Sequence, residues 1–93
     1  MAKPHRKPPQ EVRESPAVLR TQRALGQRIR ELRTKHDLTL EGAAERMGLD
    51  WKHLQKIESG KLNVTLITLV LIARGLDVDL VELFRKSRRP RKR

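Results

Sequence analysis

The sequence predicts an all-α protein, a compact bundle of five helices. Five segments carry apolar residues at helical spacing, and each follows a residue that favours a helix start. No segment alternates apolar and polar residues in the way a strand does. Because the chain has 93 residues, we expect one small hydrophobic core and no large multidomain enzyme.

The first predicted helix begins after Ser15, which can cap it ahead of Pro16, and runs to about Lys35. Proline is well tolerated at the first helical position because its missing N–H would have no partner there. Three residues spaced by four and three positions form its apolar face, namely Leu25, Ile29 and Leu32.

Two short helices follow. Thr39 can cap the second, which ends at Gly48, and Asp50 can cap the third, which runs through Glu58. Gly48 permits a left-handed turn between them, and the small Ala44 permits a close crossing. Two helices joined in this way form a central helix-turn-helix, a unit that can place its second helix in a DNA major groove.

Two more helices complete the bundle. Thr65 can cap the fourth, and Gly75 is predicted to end it. Its predicted inner face consists of Leu66, Leu69, Val70 and Ala73. Asp79 and Glu82 have the spacing of a capping box, which predicts a short fifth helix. The apolar residues of this last helix are Leu80, Leu83 and Phe84.

The net charge of +11 is concentrated at the two ends of the chain. Residues 85–93 carry seven basic and no acidic side chains, whereas residues 21–84 carry ten basic and nine acidic ones. A polyanion such as nucleic acid is therefore the expected partner. We expect the C-terminal run to contact phosphates or a minor groove, with a solvated tail as the alternative.

Composition also divides the chain into a folded domain and two tails. Residues 1–14 contain three prolines, several charges and little apolar surface, so we expect a disordered, basic arm. Residues 15–84 form the predicted helix-turn-helix domain, and residues 85–93 are expected to be a disordered basic tail.

Four segments resemble the Cro and phage-repressor type of helix-turn-helix protein, the Xre-like family, over residues 24–84. They are RIRELR, LTLEGAAERMGL, IESGK and TLITLVLIARGLDVDLVELF, in that order. The resemblance implies a lambda-repressor-like fold and a role in transcription regulation. It also implies that Arg33 pairs with Glu58 as a structural contact. Leu40 stands where the family usually has a glutamine that contacts DNA, and Ala43 where a larger aliphatic residue is usual.

The candidate DNA-contacting residues lie on and around the third helix. Helical spacing turns Leu54 and Ile57 inward, and the opposite side is the candidate reading face. Spacing and family resemblance together give Trp51, Lys52, Gln55 and Lys56 as base-reading residues. They give Thr39, Ser59, Lys61 and Asn63 as phosphate contacts. The alternative is that the lysines are solvated and that Trp51 covers the edge of the domain.

Three apolar residues predict a homodimer interface, namely Ile67, Leu71 and Val81, because the family commonly has polar residues there. The alternative is a larger core, covered by the N-terminal extension that carries Val18 and Leu19. A twofold dimer would bind a pseudo-palindromic operator.

The predicted function is sequence-specific binding of double-stranded DNA by a transcriptional regulator. Repression is the simplest outcome, and activation is equally compatible with these residues. Regulation of its own promoter, an antitoxin role or control of a restriction-modification operon would all fit the family. A protein-interaction adaptor or antitoxin-type module is the rival interpretation, with a toxin or polymerase subunit as its partner. Binding of RNA through the basic tails is a third possibility.

The sequence offers no catalytic, metal or cofactor site. Cysteine is absent, the three histidines lack metal-ligand spacing, and no serine lies in a nucleophile motif. No apolar run is long enough to span a bilayer, and the N-terminus does not resemble a signal peptide. We therefore expect a cytoplasmic, nucleoid-associated protein that is not an enzyme and does not bind membranes.

Overall fold

The computed structural model of the chain describes residues 9–86, which form five α-helices followed by a 3-10 helix. In chain order these are α1 (Gln10–Arg13), α2 (Pro16–Lys35), α3 (Leu40–Met47), α4 (Trp51–Glu58), α5 (Leu66–Gly75) and the 3-10 helix (Leu80–Phe84). The described residues contain no strand, and the predicted all-α bundle is confirmed. Most of the predicted basic arm and tail, residues 1–8 and 87–93, lies outside the described residues.

Side-chain caps begin the four longer α-helices at the residues that the sequence predicts. In each case one side-chain oxygen accepts a backbone N–H bond from the first turn, at 2.8–3.3 Å. The capping residues are Ser15, Thr39, Asp50 and Thr65. Each such cap contributes about 1 kcal/mol, so these helix starts are fixed by local chemistry.

The core lies where α2, α3, α4 and α5 meet. Its buried apolar residues are Leu25, Ile29, Leu32, Ala43, Ala44, Met47, Leu54, Ile57, Leu69, Ile72, Ala73, Leu76 and Leu83. The predicted inner faces of α2 and α4 are therefore confirmed. Full burial of each larger aliphatic side chain stabilises the fold by about 1.5–3 kcal/mol.

Helices α2 and α4 cross closely at Gly26. A methyl group built on this glycine would lie 2.5 Å from the carbonyl oxygens of Ile57 and Glu58, at the end of α4. Glycine inside a helix costs up to about 1 kcal/mol relative to alanine, and here the close approach of two backbones requires it. The end of α4 thus rests directly on the middle of α2.

Helix α5 differs from the sequence prediction in its inner face. Leu66 and Val70 are 66% and 40% exposed, and Ile72 is buried instead. The helix ends at Gly75 as predicted, but the left-handed residue that follows it is Asp77, at φ 58°. Gly75 packs against Met47, which leaves no room for a side chain at that position.

The last helix is also different from the prediction. It is a 3-10 helix, and the side chain of Asp79 forms no capping bond, so the capping box is wrong. The Glu82 carboxylate instead accepts from Arg28 Nη2 at 3.1 Å and pairs with Arg85, while Arg28 Nε donates to the Glu82 carbonyl oxygen at 2.8 Å. Phe84 is 53% exposed and not part of the core.

The segment predicted to be disordered, residues 1–14, contains the short helix α1 in its described part. This helix has no buried residue. Local bonds account for it, because Gln10 Nε2 donates to the Glu14 carboxylate at 3.2–3.3 Å, one helical turn away.

Candidate nucleic-acid interface

The pair α3 and α4 forms a helix-turn-helix through bonds within a short stretch of chain. Gly48 has φ 76°, the left-handed conformation that the turn requires. The Leu49 N–H donates to the Ala44 carbonyl oxygen at 2.9 Å and closes the end of α3. Ala44 is 2% exposed, so the two helices pack closely there. The Asp50 carboxylate then starts α4 by accepting the Lys52 N–H at 2.8 Å.

Helix α4 presents a polar outer surface. Lys52, Gln55 and Lys56 are exposed, whereas Leu54 and Ile57 are at most 1% exposed on the opposite side. The three polar residues follow one another at i, i+3 and i+4, so they occupy one face of the helix. We call this the reading face, residues Lys52, Gln55 and Lys56. It offers three long hydrogen-bond donors to a groove.

Trp51 lies at the start of α4, beside the reading face, and is 38% exposed. The Lys52 ammonium lies over the indole ring, 5.8 Å from its centroid. This distance is near the outer limit of a cation–π contact, which attracts the ammonium only weakly at an exposed site. In this conformation the Lys52 side chain extends toward the Trp51 edge of the helix.

The predicted phosphate-contacting residues have different environments. Ser59 donates its N–H to Gln55 and its hydroxyl to the Lys56 carbonyl oxygen at 2.8 Å, so both donors are used within α4. The Thr39 hydroxyl oxygen caps α3 and keeps its own proton free to donate. Lys61 and Asn63 are exposed in the loop after α4, and Lys61 lines a groove with Gln55.

Arg33 and Glu58 form a two-point ion pair between α2 and the end of α4. Arg33 Nε and Nη2 donate to the two Glu58 carboxylate oxygens at 2.7 and 3.0 Å, and Nη1 donates to the Leu38 carbonyl oxygen at 2.8 Å. The side chains are 12% and 7% exposed. This geometry is the strong, bidentate form of the interaction. It fixes the orientation of α4 and occupies Arg33 within the domain.

Leu40 stands at the first position of α3, where the sequence departs from its family. Its side chain is half-buried and packs against the core. It therefore contributes to packing and offers no hydrogen bond to DNA.

One contact near the site was not anticipated from the sequence. Gln22 Nε2 of α2 donates to the Gly60 carbonyl oxygen at 3.1 Å, which ties α2 to the loop after α4. Gly60 has φ 77°, and a methyl group built on it would lie 2.9 Å from Arg23 Cα. The partners are 38 residues apart, so no local pattern could have indicated the bond.

The predicted dimer residues lie on α5 and the 3-10 helix. Ile67 and Val81 are 75% and 60% exposed, whereas Leu71 is half-buried. Leu66 and Val70, which sequence periodicity assigned to the core, are exposed on the same helix. Helix α5 therefore carries more exposed apolar surface than the sequence predicts.

Neither a metal site nor a membrane span is found between residues 9 and 86. No group of three or more His, Asp or Glu side chains there could hold a metal ion. No helix in the same range is both long and apolar enough to cross a bilayer.

Comparison with known proteins agrees with this geometry. The profile of the HTH_3 helix-turn-helix family matches residues 29–83, which contain both helices of the motif. The chain belongs to the HTH_3 helix-turn-helix family. Members of this family are DNA-binding regulators of transcription, and double-stranded DNA is the partner that membership implies.

A control protein and a restriction-modification controller protein are among the relatives. The chain is 42% identical over 60 residues to the control protein C.MunI from a Mycoplasma species, covering 63% of this chain and 81% of that protein. The restriction-modification controller protein C.AhdI from Aeromonas hydrophila is 40% identical in sequence to this chain, and its crystal structure superposes on the fold with a TM-score of 0.67. The match covers 73% of this chain and 98% of C.AhdI.

An HTH_3 family transcriptional regulator from Vibrio cholerae has the same fold. Its TM-score is 0.70 at 27% identity, over 72% of this chain and 38% of that chain. The lambda-repressor-like arrangement of helices that the sequence predicts is thus shared with solved family members.

Proposed function

We propose that the chain is a sequence-specific regulator of transcription that inserts α4 into the major groove of an operator. The observation that carries the proposal is the reading face, three exposed donor side chains on a helix whose end is fixed by the Arg33–Glu58 pair. Lysine donates to guanine O6 and N7, and glutamine pairs with adenine N6 and N7. Because α4 is held in one orientation, its donors keep fixed positions relative to the base pairs of the groove.

Residues around α4 supply contacts to the DNA backbone in this proposal. Lys61 and Asn63 reach phosphates from the loop, and Thr39 does so from the start of α3, where backbone N–H groups also point outward. Ser59 contributes only if its hydroxyl leaves the Lys56 carbonyl oxygen. Trp51 contacts a thymine methyl group or a deoxyribose from the edge of the reading face.

The proposal includes a homodimer. Ile67 and Val81 are exposed apolar side chains, and the half-buried Leu71 lies one turn from Ile67 on α5. Exposed apolar surface of this kind is typical of an interface between protein chains. A twofold dimer would bind two half-sites about 34–36 Å apart, or one helical turn of DNA.

The proposed target is the operon of a restriction-modification system, which the protein controls as a repressor of its own promoter. Support comes from the similarity to C.MunI and C.AhdI, at 42% and 40% identity. A regulator bound to its operator is located with cellular DNA, so the proposal places this protein in the nucleoid.

Selection from a random-sequence duplex library tests the proposal. The wild-type protein should enrich one pseudo-palindromic motif, which is then used in mobility-shift titrations. The variant Lys52→Ala plus Lys56→Ala should lose about 1–3 kcal/mol of binding for each base contact removed, which abolishes the preference for the motif. Arg46→Ala plus Arg74→Ala is the matched control, because it removes two exposed charges from other helices.

The outcomes separate this function from its rivals. Loss of motif preference in the lysine variant, with preference retained in the control, supports reading by α4. The absence of any enriched motif contradicts the proposal and favours an adaptor that binds a protein partner. Binding to RNA that does not depend on the lysines would instead point to the basic tails.

A further inference from the structure

We infer that the N-terminal half of α2 is a second phosphate-binding element, formed by Arg20 and Arg23, which we call the arginine ridge. The inference rests on the proposed binding of DNA by α4 and extends that contact. Both arginines precede residue 29, where the family match begins.

The ridge lies beside the loop that follows the reading face. Arg23 Cα would be 2.9 Å from a methyl group built on Gly60, and the neighbouring Gln22 donates to the Gly60 carbonyl oxygen at 3.1 Å. Gly60 joins Ser59 to Lys61, the residues that border the proposed DNA contact. Arg23 therefore lies next to the loop that carries the proposed phosphate contacts. Arg20 lies about one helical turn closer to the start of α2.

The two arginines are free to bind an anion. Both are exposed, and the guanidinium groups form no ion pair or hydrogen bond with another residue of the described range. Arg28 and Arg33 of the same helix are by contrast engaged with carboxylates. The acidic residue of α2, Glu31, is bonded to Arg28. The ridge therefore has uncompensated positive charge.

The spacing of the ridge suits a phosphate backbone. Arg20 and Arg23 are helical neighbours at i and i+3, with Gln27 and the exposed Arg30 further along the same side. They are about 4.5 Å apart along the helix axis. A DNA strand carries one charge per ~3.4 Å of its axis, so adjacent phosphates are within reach of two long guanidinium side chains. Arginine binds phosphate in a bidentate manner.

Phosphate contacts of this kind add affinity and fix register but carry no sequence information. The ridge is therefore expected to strengthen binding to any duplex by the same factor. It should also lengthen the protected backbone on the side of the operator that flanks Lys61.

The test measures how affinity depends on salt, by fluorescence anisotropy with a labelled duplex carrying the selected motif. The single variants Arg20→Gln and Arg23→Gln are compared with Arg74→Gln, which removes one exposed charge from α5. Each ridge variant should reduce the slope of log affinity against log salt by about 0.9, the value for one phosphate contact. Arg74→Gln should leave the slope unchanged, and all three should keep the wild-type motif preference.

Failure of the ridge and failure of the proposed function give different results. If the wild type selects a motif through Lys52 and Lys56 while Arg20→Gln and Arg23→Gln keep the wild-type slope, the ridge is wrong and the regulator stands. If no motif is selected but the ridge variants still flatten the slope on arbitrary duplexes, the ridge stands. Equal flattening by Arg74→Gln would overturn the ridge as a distinct site.

Discussion

Helices α4 and α5 are of similar length, eight and ten residues, yet their outer surfaces are opposite in character. The outside of α4 is polar, with Lys52 and Lys56 exposed, whereas the outside of α5 exposes Leu66 and Ile67. A polar outer surface suits water and nucleic acid, and an apolar one suits another protein. The two helices thus indicate two different partners on two sides of one small domain.

The helices also differ in how they are attached. Helix α4 has only two residues in the core. Much of its attachment to the domain is therefore at its C-terminal end, where Glu58 pairs with Arg33 and the backbone packs against Gly26. Helix α5 has apolar residues on most of its surface and is held chiefly by packing against α3 and the 3-10 helix. Substitutions at the end of α4 and on the outside of α5 should therefore have unequal effects on stability.

The largest effect is expected from Glu58→Ala. The change leaves Arg33, 12% exposed, without its carboxylate, and breaking a buried pair in this way costs about 3–5 kcal/mol. Urea unfolding followed by circular dichroism measures the loss. Glu45→Ala, on the exposed side of α3, is the control and should stay within about 0.5 kcal/mol of the wild type. Equal stability of the two variants would show that α4 does not depend on the ion pair.

A smaller loss is expected from Gly26→Ala. The new methyl group would lie 2.5 Å from two carbonyl oxygens of α4, and such overpacking costs about 1–3 kcal/mol. Gly42→Ala is the matched comparison, since its methyl group would meet the Thr39 hydroxyl at 3.1 Å, a side-chain atom, and Leu38 at an ordinary contact distance of 3.9 Å. The helix propensity of alanine, up to about 1 kcal/mol, should there offset a small shift of the Thr39 cap, so this variant should stay close to the wild type in stability. A higher melting temperature for Gly26→Ala than for Gly42→Ala would contradict the close crossing of α2 and α4.

The smallest effect on stability is expected from Ile67→Asp. This side chain is 75% exposed, so unfolding of the monomer should change by no more than about 0.5 kcal/mol. Self-association should nevertheless be lost, because a charge enters the proposed apolar interface. Sedimentation at micromolar concentration measures it, with Gln27→Asp on α2 as a control that adds the same charge. A dimer that survives Ile67→Asp would remove α5 from the interface.

Features that depend on neighbouring residues were predictable from the sequence. The caps at Ser15, Thr39, Asp50 and Thr65 each join residues two or three positions apart, and all four occur as predicted. The inner face of α4 was predictable for a related reason. Its apolar residues contrast with charged ones, so the helical period alone decides which side is buried.

Features that depend on distant parts of the chain were not predictable. Helix α5 is apolar at nearly every position, so periodicity offers no contrast, and its packing against α3 and the 3-10 helix decides that Ile72 is buried and Val70 is not. Glu82 has the spacing of a cap but bonds to Arg28, 54 residues away, because a guanidinium group is a stronger partner than a backbone N–H. The bond from Gln22 to Gly60 has the same long-range origin.

The close approach of Gly60 to α2 should limit which residues the family can have at this position. Its φ of 77° alone would also admit asparagine, but the Arg23 backbone occupies the space of any side chain. Relatives whose first helix passes this loop as closely as α2 does here should therefore keep glycine at this position. Relatives whose first helix lies further from the loop should tolerate asparagine, so the close approach and the glycine should be inherited together.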